Sequence, residues 1–262
     1  VSYYWINKNR STPFFATVPG GLTAQEQDAW IHYGGGQELW DELYSNFNLK
    51  AFLGGNSGVQ MGGWFRNEIK SLDDFKGLKM RMPGLGAEVI NRMGATAVSM
   101  PGGEIMPSLE SGAIDATEWV GPYNDLAFGF YQVAKYYYGP GFHEPGTQAE
   151  CMVNKEEYDK LPKHLQKIVE HASVSENNKM LAEFTYGNSA AQRKLVDTHG
   201  VIMNNFPKEV YDTMFKISEE VVAETANDGA INKKIYNSWI KFKEDVRVRA
   251  PYAEQGYMER RG

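Results

Sequence analysis

Between Pro162 and Gly200 the chain has no proline and a single glycine, Gly187. Proline at the head of such a stretch suits the first turn of a helix. Leu165, Ile168, Val169 and Ala172 then recur at i, i+3, i+4 and i+7, the spacing of one helical face. About 36 helical residues would reach ~54 Å at 1.5 Å per residue. That is too long for one compact lobe, so the spacing predicts a helix that crosses from one lobe to another.

The first half of the chain is punctuated quite differently. Most of the 27 glycines and 11 prolines lie before residue 150. Short apolar runs at residues 51–53, 59–65, 78–82, 95–100 and 114–120 read as strands. Between them, residues 37–47, 86–93 and 103–110 read as helices. This alternation predicts α/β units around a mainly parallel sheet. After the long helix, a second opens near Pro207 with Val210, Met214, Ile217 and Val221 on one face. A third carries Ile231, Ile235, Trp239 and Phe242 and ends before Pro251. The chain therefore reads as α/β first and helical afterwards, arranged as two lobes with a cleft, a place where small ligands bind.

Composition narrows the function. The net charge is −6, with no basic stripe to neutralise phosphates, which argues against nucleic acid. No run of 18 apolar residues is present to span a bilayer. Cys151 is the single cysteine, so neither an internal disulfide nor a cysteine metal site can form. The sequence opens on Val1-Ser2-Tyr3-Tyr4-Trp5 with no basic and apolar leader. Those five residues read as the middle or end of a buried strand, so upstream residues are expected to be missing.

Several catalytic patterns fail. Met82-Pro-Gly-Leu-Gly-Ala-Glu-Val imitates a dinucleotide fingerprint, but Val89 stands at the third glycine position. Gly55-Asn-Ser-Gly-Val59 lacks the last glycine of a nucleophile elbow. His143-Glu144 begins like a zinc helix motif, but Pro145 breaks it and position 147 is Thr. His164 and His171 lie two turns apart and read as a solvated helix face.

Three segments stand out. Gly58–Glu68 has paired glycines inside a strand, the mark of a bend or close backbone approach. Gln60 sits there, facing either a cleft or a packed hinge. Leu72–Gly84 runs from a short helix into a strand ending in Arg81-Met82-Pro83. Arginine at a strand's C-terminal end is placed to fork onto a carboxylate, or to form a surface ion pair. In Ser111–Pro122 a strand ends at Glu118 beside Trp119. Ligands in open α/β sheets bind beyond strand carboxyl ends. An acidic side chain with amide or carbonyl oxygens is what a hard cation takes. The alternative is a Glu118 paired to a neighbouring Lys or Arg.

These segments, "GVQMGGWFRNEI", "SLDDFKGLKMRMPGLGAEVINRMGATAVSMPGGEI" and "LESGAIDATEWVGPYND", with "TAQEQDAWIHYGGGQELWDELY" upstream, carry a resemblance. They resemble the solute-binding proteins (DctP-like) of tripartite ATP-independent periplasmic (TRAP) transporters. Within that family they are most similar to the branch that binds 2-oxo or 2-hydroxy monocarboxylates with a metal ion. The resemblance implies an α/β fold of two lobes with hinge strands, a long lobe-connecting helix and a helical C-terminus. It divides the chain into residues 1–58 plus 147–187, with the N-terminal part missing, residues 59–146 plus 188–230, and a C-terminal helix over 231–262. About the first quarter of the mature protein would be absent.

By the same resemblance Arg81 would hold the ligand carboxylate. Gln60 and Glu118 side chains and the Trp119 carbonyl would hold a sodium or calcium ion, with Glu144 a further contact. Gln60 and Trp119 would also lie against the ligand, and Tyr4 stands where a ligand-facing aromatic is expected. A periplasmic location, a membrane permease as partner and no enzymatic activity are implied. A homodimer through the C-terminal helix is implied too, the stripe from Ile231 to Phe242 lying beyond the compact core; the alternative is that it packs on its own lobe. Physically, burying a small carboxylate requires a paired cation, and closing two lobes over it is a hinge motion. Two other readings stand beside this one. One is a metal-dependent enzyme on 2-oxo acids, with Glu144 or His143 as base. The other is a receptor for a larger sugar acid or aromatic acid.

Overall fold

The computed structural model describes residues 1–261. Helices α1 (Ala24–Tyr33) and α2 (Gly36–Ser45) lead into strand β1 (Leu49–Asn56). Then follow β2 (Gly63–Phe65), β3 (Lys79–Arg81), α3 (Gly84–Arg92), β4 (Thr96–Val98), α4 (Gly102–Ser111), β5 (Ala116–Thr117) and α5 (Pro122–Phe128). The remainder is β6 (Tyr136–Tyr138), β7 (Gln148–Asn154), α6 (Lys155–Lys160), α7 (Lys163–Asp197), β8 (Ile202–Asn204), α8 (Lys208–Glu224), α9 (Ala230–Arg249) and α10 (Glu254–Arg261). The chain forms two sheets. β1 and β7 pair antiparallel, and a six-stranded sheet runs in the order β4-β3-β5-β2-β6-β8.

The large sheet is mixed, not mainly parallel. β3 is parallel to β4 and β5, and β6 to β8, but β2 is antiparallel to β5 and β6. β2 arrives from the other sheet through residues 57–62, with no helical crossover to bring it round parallel. The strand expected over 59–65 is accordingly only Gly63–Phe65. Gly63 has φ of 130°, a backbone region that glycine favours, and the chain bends there. The preceding backbone is still fully engaged. Gln60 N–H donates to Glu144 O (3.0 Å), Met61 N–H to Val120 O (3.1 Å) and Gly62 N–H to Tyr138 O (2.7 Å). Likewise the run over 114–120 contributes only Ala116–Thr117 to the sheet, which leaves Glu118 just past a strand end.

Two further expectations are corrected. Val1–Trp5 is not a strand; Ser2–Trp5 is a 3₁₀ turn in which Tyr4 N–H donates to Val1 O. Ser2 and Tyr3 are buried and the next two residues exposed, a pattern of turns that imitates an apolar strand in a short window. The stripe on α9 does not stand beyond the core. Ile235 and Trp239 are buried in the cluster that holds Phe14, Met214 and Val222, and Ile231 and Phe242 pack against it. The exposed apolar side chains of this region are Val248, Tyr252, Tyr257 and Met258 instead. Of the segment 231–262, residue 262 lies outside the described residues.

The long helix is present as α7, 35 residues and ~52 Å. Its first half runs along β1, where Asn177 Oδ1 accepts a hydrogen bond from Gln148 Nε2 at 2.7 Å. Further on, Phe184 meets the Tyr123 ring edge-on at 5.8 Å, and Asn188 Oδ1 accepts the Tyr123 N–H at 2.9 Å. Leu195, near its end, joins the core of Trp64 and Ile105 on the large sheet. One helix thus ties the small sheet to the large one.

Gly187 faces α5 across a tight contact. A Cβ there would lie 2.8–3.0 Å from Cγ, Cδ1 and Cδ2 of Tyr123. In an open helix Gly→Ala gains about 1 kcal/mol. Overpacking against the Tyr123 ring, which is held by Phe184 and by its hydroxyl's hydrogen bond to Glu183, costs about 1–3 kcal/mol, so the clash should win. Gly187→Ala is expected to lower the melting temperature by a few degrees, at about 2–4 °C per kcal/mol for a chain of this size. A melting temperature at or above wild type would show that the α5–α7 contact is loose.

Candidate metal and carboxylate site

β3 and β5 are adjacent parallel strands, with Arg81 opposite Thr117. Arg81 ends one strand and Glu118 follows the other, so their side chains leave the sheet at the same carboxyl-terminal edge. Alternation does the rest. Met80 and Met82 go into the core, and Arg81 is directed to the opposite face. Arg81 is 1% exposed and Glu118 1%.

Arg81 Nη1 donates to Glu118 Oε1 in a close contact, and Arg81 Nη2 donates to the Tyr4 hydroxyl at 3.3 Å. The guanidinium carbon stands 5.2 Å from the centre of the Trp119 ring. On the other side, Glu118 Oε2 faces His143 Nε2 at 3.4 Å. Residues 57–62 run beside 138–147, which brings Gln60 next to Glu144. Thr147 joins them: its hydroxyl donates to Glu144 Oε2 and accepts from Gln60 Nε2 at 2.9 Å. Gln60 Nε2 also donates to Ser57 Oγ at 3.2 Å. Both hydrogens of that amide are committed, while Gln60 Oε1 is buried with no partner.

The electrostatics are unbalanced. Glu118, His143 and Glu144 bring their ligating atoms within 4.8 Å of one another, all buried. Against two carboxylates stands one guanidinium. Burial first, and then the neighbouring Glu118 charge, push the Glu144 carboxyl up to about 7. Hard cations such as sodium and calcium take oxygen ligands. An orphaned amide oxygen beside two buried carboxylates fits such an ion, and the ring nitrogen of His143 fits better as the outer partner of Glu118. The Trp119 ring lies beside the guanidinium.

A family model described as bacterial extracellular solute-binding protein, family 7 (DctP), matches residues 1–228. The chain belongs to this family. The monocarboxylate 2-oxoacid-binding periplasmic protein of Nostoc sp. is 42% identical over 245 residues, 94% of this chain and 67% of that protein. A TRAP periplasmic solute-binding protein from Pseudoalteromonas atlantica, crystallised with sodium and pyruvate, superposes with a TM-score of 0.93 at 42% identity, covering 99% of this chain and 79% of that one. A TRAP solute-binding protein from Bordetella bronchiseptica, a dimer with calcium and picolinate in one site, has a TM-score of 0.94 at 41% identity, covering 98% and 76%. The two-sheet fold with its long helix and helical C-terminus is therefore that of TRAP solute-binding proteins. Among the described residues no helix is long and apolar enough to cross a membrane.

In this DctP-family chain, Arg81, Glu118, Trp119 and Tyr4 meet in one cluster, and Gln60 and Glu144 in a second that adjoins it through Glu118. The sequence offered Glu118 either a cation or an ion pair, and its partner in the structure is Arg81 itself. In the sequence His143 reads as the start of a failed zinc motif or as a possible base, and nothing there marks Ser57 or Thr147 as part of a site. Their signal was faint. The run His143-Glu144-Pro145-Gly146-Thr147 has no helical or strand period, and only the pairing of 57–62 with 138–147 gives it meaning.

The raised Glu144 carboxyl gives a pH test. The unfolded chain loses this proton near the ordinary value of 4.5, the folded chain near 7. Stability from this group is therefore full at low pH, falls as pH rises between those values, and is flat above. Asp125, buried and raised to about 7 despite four hydrogen-bond donors, slopes the same way. Chelator-treated wild-type protein should lose melting temperature from pH 4.5 to 7 more steeply than Glu144→Gln. Parallel slopes would place the Glu144 carboxyl in a wetter setting than the structure gives it.

Proposed function

We propose that this chain is the extracytoplasmic receptor of a TRAP transporter. It captures a short 2-oxo or 2-hydroxy carboxylate together with a sodium or calcium ion in the periplasm and presents it to membrane permease subunits. The observation that carries the reading is the buried Arg81 at a strand end, flanked by two buried carboxylates and the unpartnered oxygen of Gln60. The named ligands of the similar proteins support it.

In this reading Arg81 forks onto the ligand carboxylate, with Tyr4 steadying the guanidinium and Trp119 covering it. Gln60 Oε1, the carboxylates of Glu118 and Glu144 and the Trp119 carbonyl would hold the ion. Bound there, the ion supplies the positive charge that a second buried anion needs. Charge arithmetic makes either ion workable. Arg81 contributes +1, and Glu118, Glu144 and the ligand contribute −1 each, leaving −2, which calcium balances. With Glu144 protonated the remainder is −1, which sodium balances. Residues 1–58 with 147–187, and 59–146 with 188–230, are the two lobes that close over the ligand, hinged at the paired segments 57–62 and 138–147. We also propose a homodimer formed through 231–262, favoured by the exposed Val248, Tyr252, Tyr257 and Met258; light scattering at one chain mass would contradict it.

A second reading, a receptor for an aromatic acid, is favoured by the picolinate bound to the Bordetella protein. Calorimetric titration separates the two. Pyruvate or lactate should bind only with sodium or calcium present, and Arg81→Ala should cost at least tenfold in affinity, as loss of a buried charge pair of about 2–5 kcal/mol requires. Binding of pyruvate undiminished in Arg81→Ala would reject the site assignment. Heat with picolinate but with no aliphatic acid would favour the second reading.

A further inference from the structure

Beside the Glu118–His143–Glu144 cluster lies a small cavity walled by Tyr3, Thr17, Pro83, Gly84, His143 and Glu144. Its volume is about 10 Å³, close to the smallest space that admits one water-sized group. Two of its walls carry polar atoms with no partner, Thr17 Oγ1 and His143 Nδ1. Both residues are more than nine-tenths buried, at 8% and 2% exposure. A buried donor or acceptor left unpaired is costly, about 1–3 kcal/mol each, and such groups in a native fold call for an explanation. Neither belongs to the Arg81 cluster, and neither is an oxygen of the carboxylate set.

The order of side chains gives the cavity its place. Arg81 touches Glu118, Glu118 faces His143, and His143 walls the cavity. For an acid whose carboxylate lies on Arg81 and whose 2-oxygen faces the carboxylate cluster, this order leaves the side of His143 and Thr17 open to the third carbon. We propose that Thr17 and His143 form a polar subsite for one small hydrogen-bonding substituent on C3. The receptor then favours 3-hydroxy-2-oxo acids over their alkyl counterparts. This inference rests on the 2-oxo acid reading of the site.

The chemistry suits a hydroxyl in particular. His143 Nδ1 donates or accepts according to tautomer. The threonine hydroxyl does both, so a ligand hydroxyl, which also does both, satisfies the pair in either tautomer. A methyl group of the same size fills the space and leaves both atoms unpaired. Sites built to hydrogen-bond a hydroxyl reject analogues that lack it far better than apolar pockets reject an extra one.

The test is calorimetric titration of the full chain, saturated with calcium, using pyruvate, 3-hydroxypyruvate and 2-oxobutanoate. The last two differ by hydroxyl against methyl at one position. In wild type 3-hydroxypyruvate is expected to bind about tenfold tighter than 2-oxobutanoate. Thr17→Val, nearly the same shape without the hydroxyl, should bring that ratio toward one, and Thr17→Ser should keep it. Melting curves establish that each variant is folded. A wild-type ratio near one, or a ratio unmoved by Thr17→Val, overturns the subsite while pyruvate binding leaves the receptor reading standing. No heat with any of the three acids, from folded protein, contradicts the receptor reading and removes the subsite with it.

Discussion

Two carboxylates, Glu118 and Glu144, are buried within reach of one guanidinium, and much of the surrounding architecture bears on holding them there. A buried charge is tolerable only when paired and hydrogen-bonded. Glu118 has Arg81 and His143. Among the described residues the Glu144 carboxylate is hydrogen-bonded by the Thr147 hydroxyl alone, and burial and the Glu118 charge displace its carboxyl upward. The imbalance leaves the cluster one positive charge short. In the proposed reading the same shortage is what favours a cation and, through the cation and Arg81, a small anion.

Burial of these groups depends on backbone from distant parts of the chain. Arg81 and Glu118 come from two neighbouring strands of the large sheet, while Gln60 and Glu144 lie on the two segments that connect the sheets. Hydrogen bonds from Gln60 N–H to Glu144 O and from Gly141 N–H to Gln60 O lock those segments side by side. The proposed ligand site thus lies where the chain passes between sheets, where a small rotation would change the distance between its halves. α7 spans the same division on the outside, held to the small sheet through Asn177 and to α5 through Phe184 and Asn188.

Much of this was legible in the sequence. The absence of proline from 163 to 199, with Gly187 the single glycine, located α7 to within a few residues, because long unbroken helices have few competing explanations. Arg81 and Glu118 could be singled out because each ends a strand with a clean alternation before it. What could not be read was their partnership, since register between β3 and β5 is set by packing of the whole sheet and not by either segment. The direction of β2 was missed because a short Gly-rich run carries no sign of parallel or antiparallel pairing. The stripe on α9 has the same spacing whether it covers its own core or a second chain; the buried Trp239 shows that it covers its own. Thr17 and His143 lay in stretches with no period at all, and only three-dimensional adjacency gives them a role.

Arg81, Glu118, Gln60 and Glu144 are proposed to form one site for an anion and its cation. A crystal structure grown with calcium and pyruvate, with anomalous differences recorded for the ion, tests it most directly. An ion peak is expected at about 2.3–2.6 Å from Gln60 Oε1 and from carboxylate oxygens of Glu118 or Glu144, with the pyruvate carboxylate on the Arg81 guanidinium. An ion bound elsewhere, or a pyruvate carboxylate with no contact to Arg81, would contradict it.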